Sequence, residues 1–84
     1  MVRVEFYGLA RLRAGVAELA ADAATVRAAL EAAAAACPGL NPLRDGRVSP
    51  EYLVSVGGGR FVTDPDTPLT DGDSLVVLGA DAGG

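Results

Sequence analysis

Leu75-Val76-Val77-Leu78, entered through Pro68-Leu69-Thr70-Asp71-Gly72-Asp73 and followed by Gly79-Ala80-Asp81-Ala82-Gly83-Gly84, is the segment around which the rest of the chain organises itself. Four consecutive apolar residues suit a strand buried on both faces, the condition of a central strand. By alternation Leu75 and Val77 face a core while Val76 and Leu78 face the opposite side. The prolines and the Asp71-Gly72-Asp73 turn isolate this strand from what precedes it.

Upstream, Tyr52-Leu53-Val54-Ser55-Val56, Gly57-Gly58-Gly59 and Arg60-Phe61-Val62 read as a strand, a glycine turn and a short strand. Ser55 marks an outward register that Leu53 shares. At the start of the chain Val2, Val4 and Phe6 alternate with Arg3, Glu5 and Tyr7, the period of a half-buried strand over residues 2–7, which Gly8 ends. Arg11-Leu12-Arg13 then reads as a short basic loop, and Val16 to Ala20 as the weaker return strand of a β-hairpin. Between the hairpins, Thr25 supplies an N-cap hydroxyl for a helix. Val26, Ala29, Leu30, Ala33, Ala34 and Cys37 recur behind it at helical spacing, and Pro38-Gly39 stops it. Arg27 and Glu31 lie four apart on its solvent side. Residues 40–51, with prolines at 42 and 50 and an Asp45-Gly46 turn, read as an irregular crossing with Leu40 and Leu43 directed to the core.

The order β-β-α-β-β-β is that of an α+β protein in which one main helix packs on one face of a mixed sheet. The order of the strands is read directly from the residues and their pairing is not; the doubly apolar character of the last strand suits a central place, between the first strand and the one beginning at Tyr52. This is the β-grasp arrangement, divided into a folded domain over residues 1–78 and a flexible tail over residues 79–84.

Composition narrows the function. A chain of 84 residues makes one domain, burying only about 60% of the surface its unfolded form exposes, which leaves little room for a deep catalytic cleft. Seven arginines against eleven acids give a net charge of −4, repelling a phosphate backbone, so nucleic acid is not an expected partner. With no lysine in the sequence, no side chain can accept an isopeptide bond. The apolar-polar alternation from the first residues excludes a signal-peptide pattern, and no apolar run approaches the ~20 residues that span a bilayer. A cytoplasmic protein without a membrane association is expected.

Side-chain chemistry is equally sparse. Histidine is absent and the single cysteine, Cys37, ends the apolar stripe of the helix with no base beside it, so it reads as a packed apolar residue rather than a nucleophile. Gly57-Gly58-Gly59 leads into a strand and not a helix, which makes it a hairpin turn and not a phosphate cradle. Asp64, Asp66, Asp71 and Asp73 lack the spacing and closing glutamate of a calcium loop and read as turn formers; no metal site is expected.

The tail stands apart from all of these. Gly79, Ala80, Asp81, Ala82, Gly83 and Gly84 contain no large or β-branched side chain. Fully extended they reach about 20 Å at ~3.3 Å per residue, enough to enter a narrow channel in another protein. Terminal glycines fit where a Cβ would clash, and the α-carboxylate, with a reference pKa of about 3.3 to 3.7, is ionised at neutral pH.

The opening Val-x-Val-x-Phe-Tyr-Gly-x-Ala-Arg-x-Arg, the Thr25-Val26 helix start, Pro68-Leu69-Thr70-Asp71-Gly72-Asp73 and the closing Gly83-Gly84 together resemble the MoaD/ThiS family of sulfur carriers, over the whole chain. The resemblance implies the ubiquitin-like form of the β-grasp fold. It also implies that an E1-like adenylyltransferase of the MoeB/ThiF type joins the Gly84 carboxylate to AMP using ATP. A sulfurtransferase or other persulfide donor then supplies sulfur, leaving a thiocarboxylate. The acceptor would be a molybdopterin synthase large subunit, a thiazole synthase or a similar enzyme. The chain itself would be a carrier or co-substrate that binds no cofactor, or the small subunit of a molybdopterin-synthase-like enzyme. Where molybdopterin-type tails usually carry prolines before Gly-Gly, this one reads Gly-Ala-Asp-Ala. Leu53, Val76, Leu78 and residues Gly79 to Ala82 are the expected partner-binding surface, with Gly83 and Gly84 as the reacting end. Two other readings share the fold: a protein modifier conjugated through Gly84, and a binding module with an inert tail.

Overall fold

The structure, a computed structural model, describes residues 1–80; the stretch 81–84, with Asp81, Ala82, Gly83 and Gly84, lies outside the described residues. Its elements are β1 (Val2–Tyr7), α1 (Gly8–Ala14), β2 (Glu18–Ala21), α2 (Val26–Ala36), β3 (Leu43–Arg44), β4 (Arg47–Val48), β5 (Tyr52–Val56), β6 (Arg60–Val62) and β7 (Ser74–Gly79). A five-stranded mixed sheet has the order β2-β1-β7-β5-β6. β7 runs parallel to β1 and antiparallel to β5, so the doubly apolar strand is central, as its composition requires.

One face of the sheet meets α2. Val4, Phe6, Val54, Leu75 and Val77 from the sheet and Val26, Ala29, Leu30 and Ala33 from the helix are buried in one core with Leu40 and Leu69. Small residues on the helix face let its axis approach the strands closely, while Leu30 fills the space between. Cys37 is buried in the same core, where it packs as an apolar side chain. Thr25 caps α2 by accepting a hydrogen bond from Ala28 N at 3.1 Å. The loop before β7 takes two further helix-end donors: Val26 N donates to Thr67 O at 3.0 Å and Arg27 N to Pro65 O at 2.7 Å. The aspartates build the turns around it. Asp64 accepts from Asp66 N at 2.9 Å, and Asp73 accepts from Thr70 N at 2.8 Å.

Three expectations from sequence are corrected. The segment read as a basic loop within the first hairpin is a seven-residue helix, α1, and the return strand begins at Glu18 rather than Val16. Gly15 ends α1 in the left-handed conformation, φ 78°, and its N–H donates to Arg11 O. Residues 40–51, read as wholly irregular, contain a two-stranded ribbon, β3 with β4, closed by Asp45 and Gly46 at φ 52° and 76°. Both central residues at positive φ make this the two-residue turn whose twist suits a hairpin. Finally, β7 continues through Gly79, assigned to the tail from sequence, which is buried and pairs with Tyr52. Arg27, on the solvent side of α2 with Glu31, donates to Asp66 at 3.2 Å and to Gly46 O at 2.6 Å, tying α2 to the turn and the ribbon.

Candidate functional site

Strand register assembles a surface on the sheet face away from α2. Leu78 of β7 stands between Leu53 of β5 and Tyr7 of β1, and Val76 between Ser55 and Glu5. Phe61 of β6 pairs with Ser55 and extends the same row. Leu53, Tyr7 and Phe61 are 38%, 48% and 63% exposed, whereas Val76 and Leu78 are half-buried between them. The three residues expected here, Leu53, Val76 and Leu78, are thus brought together. Ser55 shares their row but is itself buried, a small side chain flanked by Val76 and Phe61. Isolated exposed apolar residues are common; here three exposed side chains, Tyr7, Leu53 and Phe61, and the half-buried Val76 and Leu78 lie on one face of four neighbouring strands.

Sequence reasoning missed Tyr7 and Phe61. Both follow from the alternation that places Leu53 and Val76 outward, so the signal was present in the pairing and not in either strand alone. At the margin of the surface, the Tyr7 hydroxyl donates to Glu5 Oε1 at 2.7 Å. This bond, and then the negative charge of Glu5, push the Tyr7 pKa above its ordinary value. Arg3 pairs with Glu18 at 3.0 Å beside it.

The tail begins at the end of the same central strand. A Cβ on Gly79 would lie 2.9 Å from Leu9 Cβ of α1, so only glycine lets the helix close over the strand end. One residue further, Ala80 N donates to Glu51 O at 2.8 Å, continuing the β5–β7 ladder by one bond. Gly79 and Ala80 therefore leave the fold next to Leu78 and Leu53. The other expected site residues, Asp81, Ala82, Gly83 and Gly84, lie outside the described residues.

Among the described residues no cluster of three or more metal-ligating side chains occurs, and no helix is long and apolar enough to cross a membrane. A shallow groove between the β3–β4 ribbon and β5–β6 includes Arg27, Arg47, Val54 and Val62, but Arg27 is engaged by Asp66 and Gly46. The titratable side chains lining the groove are Arg27, Arg47, Asp45, Asp66 and Tyr52.

Solved structures share the architecture, among them the following three. Small archaeal modifier protein 1 of Haloferax volcanii is 24% identical over 99% of this chain and 98% of its own, with a TM-score of 0.82. The HVO 2177 protein of the same organism is 30% identical over 99% of this chain and 85% of its own, with a TM-score of 0.78. A Pyrococcus furiosus protein assigned as molybdopterin converting factor subunit 1 is 25% identical over 93% and 94% of the two chains, with a TM-score of 0.71. No family model matches the sequence and no curated protein matches it significantly.

Proposed function

Because this chain belongs to the MoaD/ThiS-type family of ubiquitin-like sulfur carriers, we propose that Gly84 is its C-terminus and that the Gly84 carboxylate carries the sulfur. An E1-like adenylyltransferase binds ATP, and a carboxylate oxygen attacks the α-phosphorus. Pyrophosphate leaves and an acyl adenylate remains. The terminal sulfur of a persulfide attacks the acyl carbon, AMP departs, and a second thiol cleaves the sulfur–sulfur bond to free the thiocarboxylate. The charged carrier then docks on an acceptor enzyme of cofactor biosynthesis, for molybdopterin, thiamine or a related product, and the exchange takes place in the cytoplasm. ATP is consumed by the activating partner, and the carrier holds no cofactor of its own.

The observation supporting this reading is the placement of the tail root. The central strand that carries Val76 and Leu78 ends at Gly79 and Ala80, so the reacting end leaves from the margin of the apolar surface. A partner that covers Leu53, Leu78 and Tyr7 can receive the chain end in the same encounter. The absence of histidine from the sequence and the burial of Cys37 leave the bond-making groups to the partner. The Pyrococcus furiosus relative's name, subunit 1 of a converting factor, favours a working complex with a second protein.

Intact mass spectrometry of the protein recovered from its native host tests the proposal. A fraction with one oxygen exchanged for sulfur at Gly84 is the expected result. Recovery solely as covalent adducts through Gly84 would replace the carrier reading by that of a protein modifier, and an unaltered terminus under every growth condition would contradict both.

A further inference from the structure

The point at which the chain leaves the sheet is held from two sides. On one side α1 closes on Gly79 through Leu9. On the other, the residue preceding β5 holds Ala80 N through the Glu51 carbonyl. These two supports are far apart in sequence, and one side chain joins them. Arg13 of α1 donates from Nη1 to Glu51 Oε1 at 2.9 Å and to the Tyr52 hydroxyl at 3.0 Å. Its guanidinium carbon lies 5.7 Å from the centre of the Tyr52 ring, within cation–π range. The hydroxyl of Tyr52 in turn donates to Leu40 O, and Arg44 Nη2 reaches the second Glu51 oxygen at 3.5 Å. Helix, ribbon and central ladder thus meet at Glu51 and Tyr52, the two residues opposite Ala80 and Gly79.

An ion pair as exposed as this one, with side chains 34% and 42% accessible, adds little to global stability. Its geometry has another consequence. Glu51 precedes β5, so the ladder bond to Ala80 is a terminal one, and terminal bonds open readily unless a side chain restrains the strand end. Resting on the carrier function proposed above, we propose that Arg13 is a positioning residue: through Glu51 and Tyr52 it fixes the residue 79–80 exit, and so the direction in which the reacting end leaves the fold. A chain that emerges in one direction needs less ordering when it enters a partner's channel, which lowers the barrier to the activated geometry without adding contacts to docking.

The test has two arms. In the isolated protein, amide hydrogen exchange followed by NMR reads the Ala80 N–H directly. Arg13→Ala accelerates that exchange about tenfold while Val54 and Val77, at the centre of the sheet, keep their protection; Arg13→Lys, which retains the cation, restores most of it. Glu51→Gln, which keeps the backbone carbonyl and loses the carboxylate, behaves as Arg13→Ala does. In the second arm, the adenylation rate is followed with the activating enzyme. Arg13→Ala lowers kcat about tenfold at unchanged KM and unchanged melting temperature. Unaltered Ala80 exchange in Arg13→Ala overturns the proposal without reference to any partner. Accelerated exchange with an unaltered kcat, or a loss confined to KM, overturns it as well. Failure of the wild-type chain to be adenylated refutes the carrier reading and, with it, the positioning role, whereas accelerated exchange there still establishes Arg13 as the brace of residue 80.

Discussion

Leu78 belongs both to the apolar surface and to the last residues of β7, with Leu53 and Tyr7 on either side. Leu78→Asp introduces a charge where a partner would bury a methyl-rich side chain, and partner binding weakens by ~1 to 3 kcal/mol. Because the residue is half-buried on the outer face and outside the α2 core, circular dichroism and the melting transition show the fold intact. Unfolding of the variant would contradict the register, and normal binding by a folded variant would remove this surface from the interface. Tyr7 offers a pH-dependent signature of the same region. Its hydroxyl donates to Glu5, which favours the protonated phenol and raises the folded-state pKa above the ordinary value. The stabilisation from this bond is therefore complete below the unfolded-state tyrosine pKa of about 10 and is lost as pH rises through the higher folded value. Ultraviolet titration of Glu5→Gln moves the Tyr7 transition to lower pH than in the native chain; an unmoved transition would show that the bond is not populated in solution.

At the scale of elements, the contact between α1 and β7 gives a sharper prediction than either element alone. Gly79→Ala places a methyl group 2.9 Å from Leu9 Cβ; α1 must shift, at about 1 to 3 kcal/mol measured by urea denaturation. A neutral substitution would mean that α1 does not close over the strand end. This same helix shows where the sequence was hard to read. The strands announced themselves through alternation, and β7 suited a central place through its apolar character on both faces, but which strands pair was not legible from their residues alone. In α1 only Ala10 is fully buried, leaving no apolar stripe, and seven residues are too few for helical periodicity to emerge. What remained as signal was the spacing of Leu9, Ala10, Arg13 and Ala14 before a capping Gly15. The β3–β4 ribbon has two residues per strand, too short for alternation, and only Asp45-Gly46 pointed to it. Of the candidate site, Leu53, Val76 and Leu78 were legible because each alternates with a core residue. Tyr7 and Phe61 required knowing which strands lie side by side, and the bracing of residue 80 by Arg13 depends on pairings between residues 38 and 39 positions apart.

The whole molecule presents a small acidic body with an apolar patch on the sheet face away from α2, and the described residues end at Ala80 beside it. Net charge and the apolar surface are suited to a protein partner, and among the described residues no cluster of metal-ligating side chains occurs. On this account the fold is a handle and the reaction belongs to the terminus. Activation needs a free carboxylate within about 3 to 3.5 Å of the attacked phosphorus. Deleting Gly84 withdraws that group by ~3.3 Å, and extending the chain places it in a peptide bond. The described core is made by residues between Val2 and Val77, so both variants are expected to keep the native circular dichroism spectrum. The decisive measurement is pyrophosphate release on mixing carrier, activating enzyme and ATP, with the carrier and ATP alone as the blank. The native chain should release pyrophosphate, while the Gly84-deleted chain, the extended chain and the blank should not. Equal release from native, deleted and extended forms would contradict the assignment of the Gly84 carboxylate as the working group.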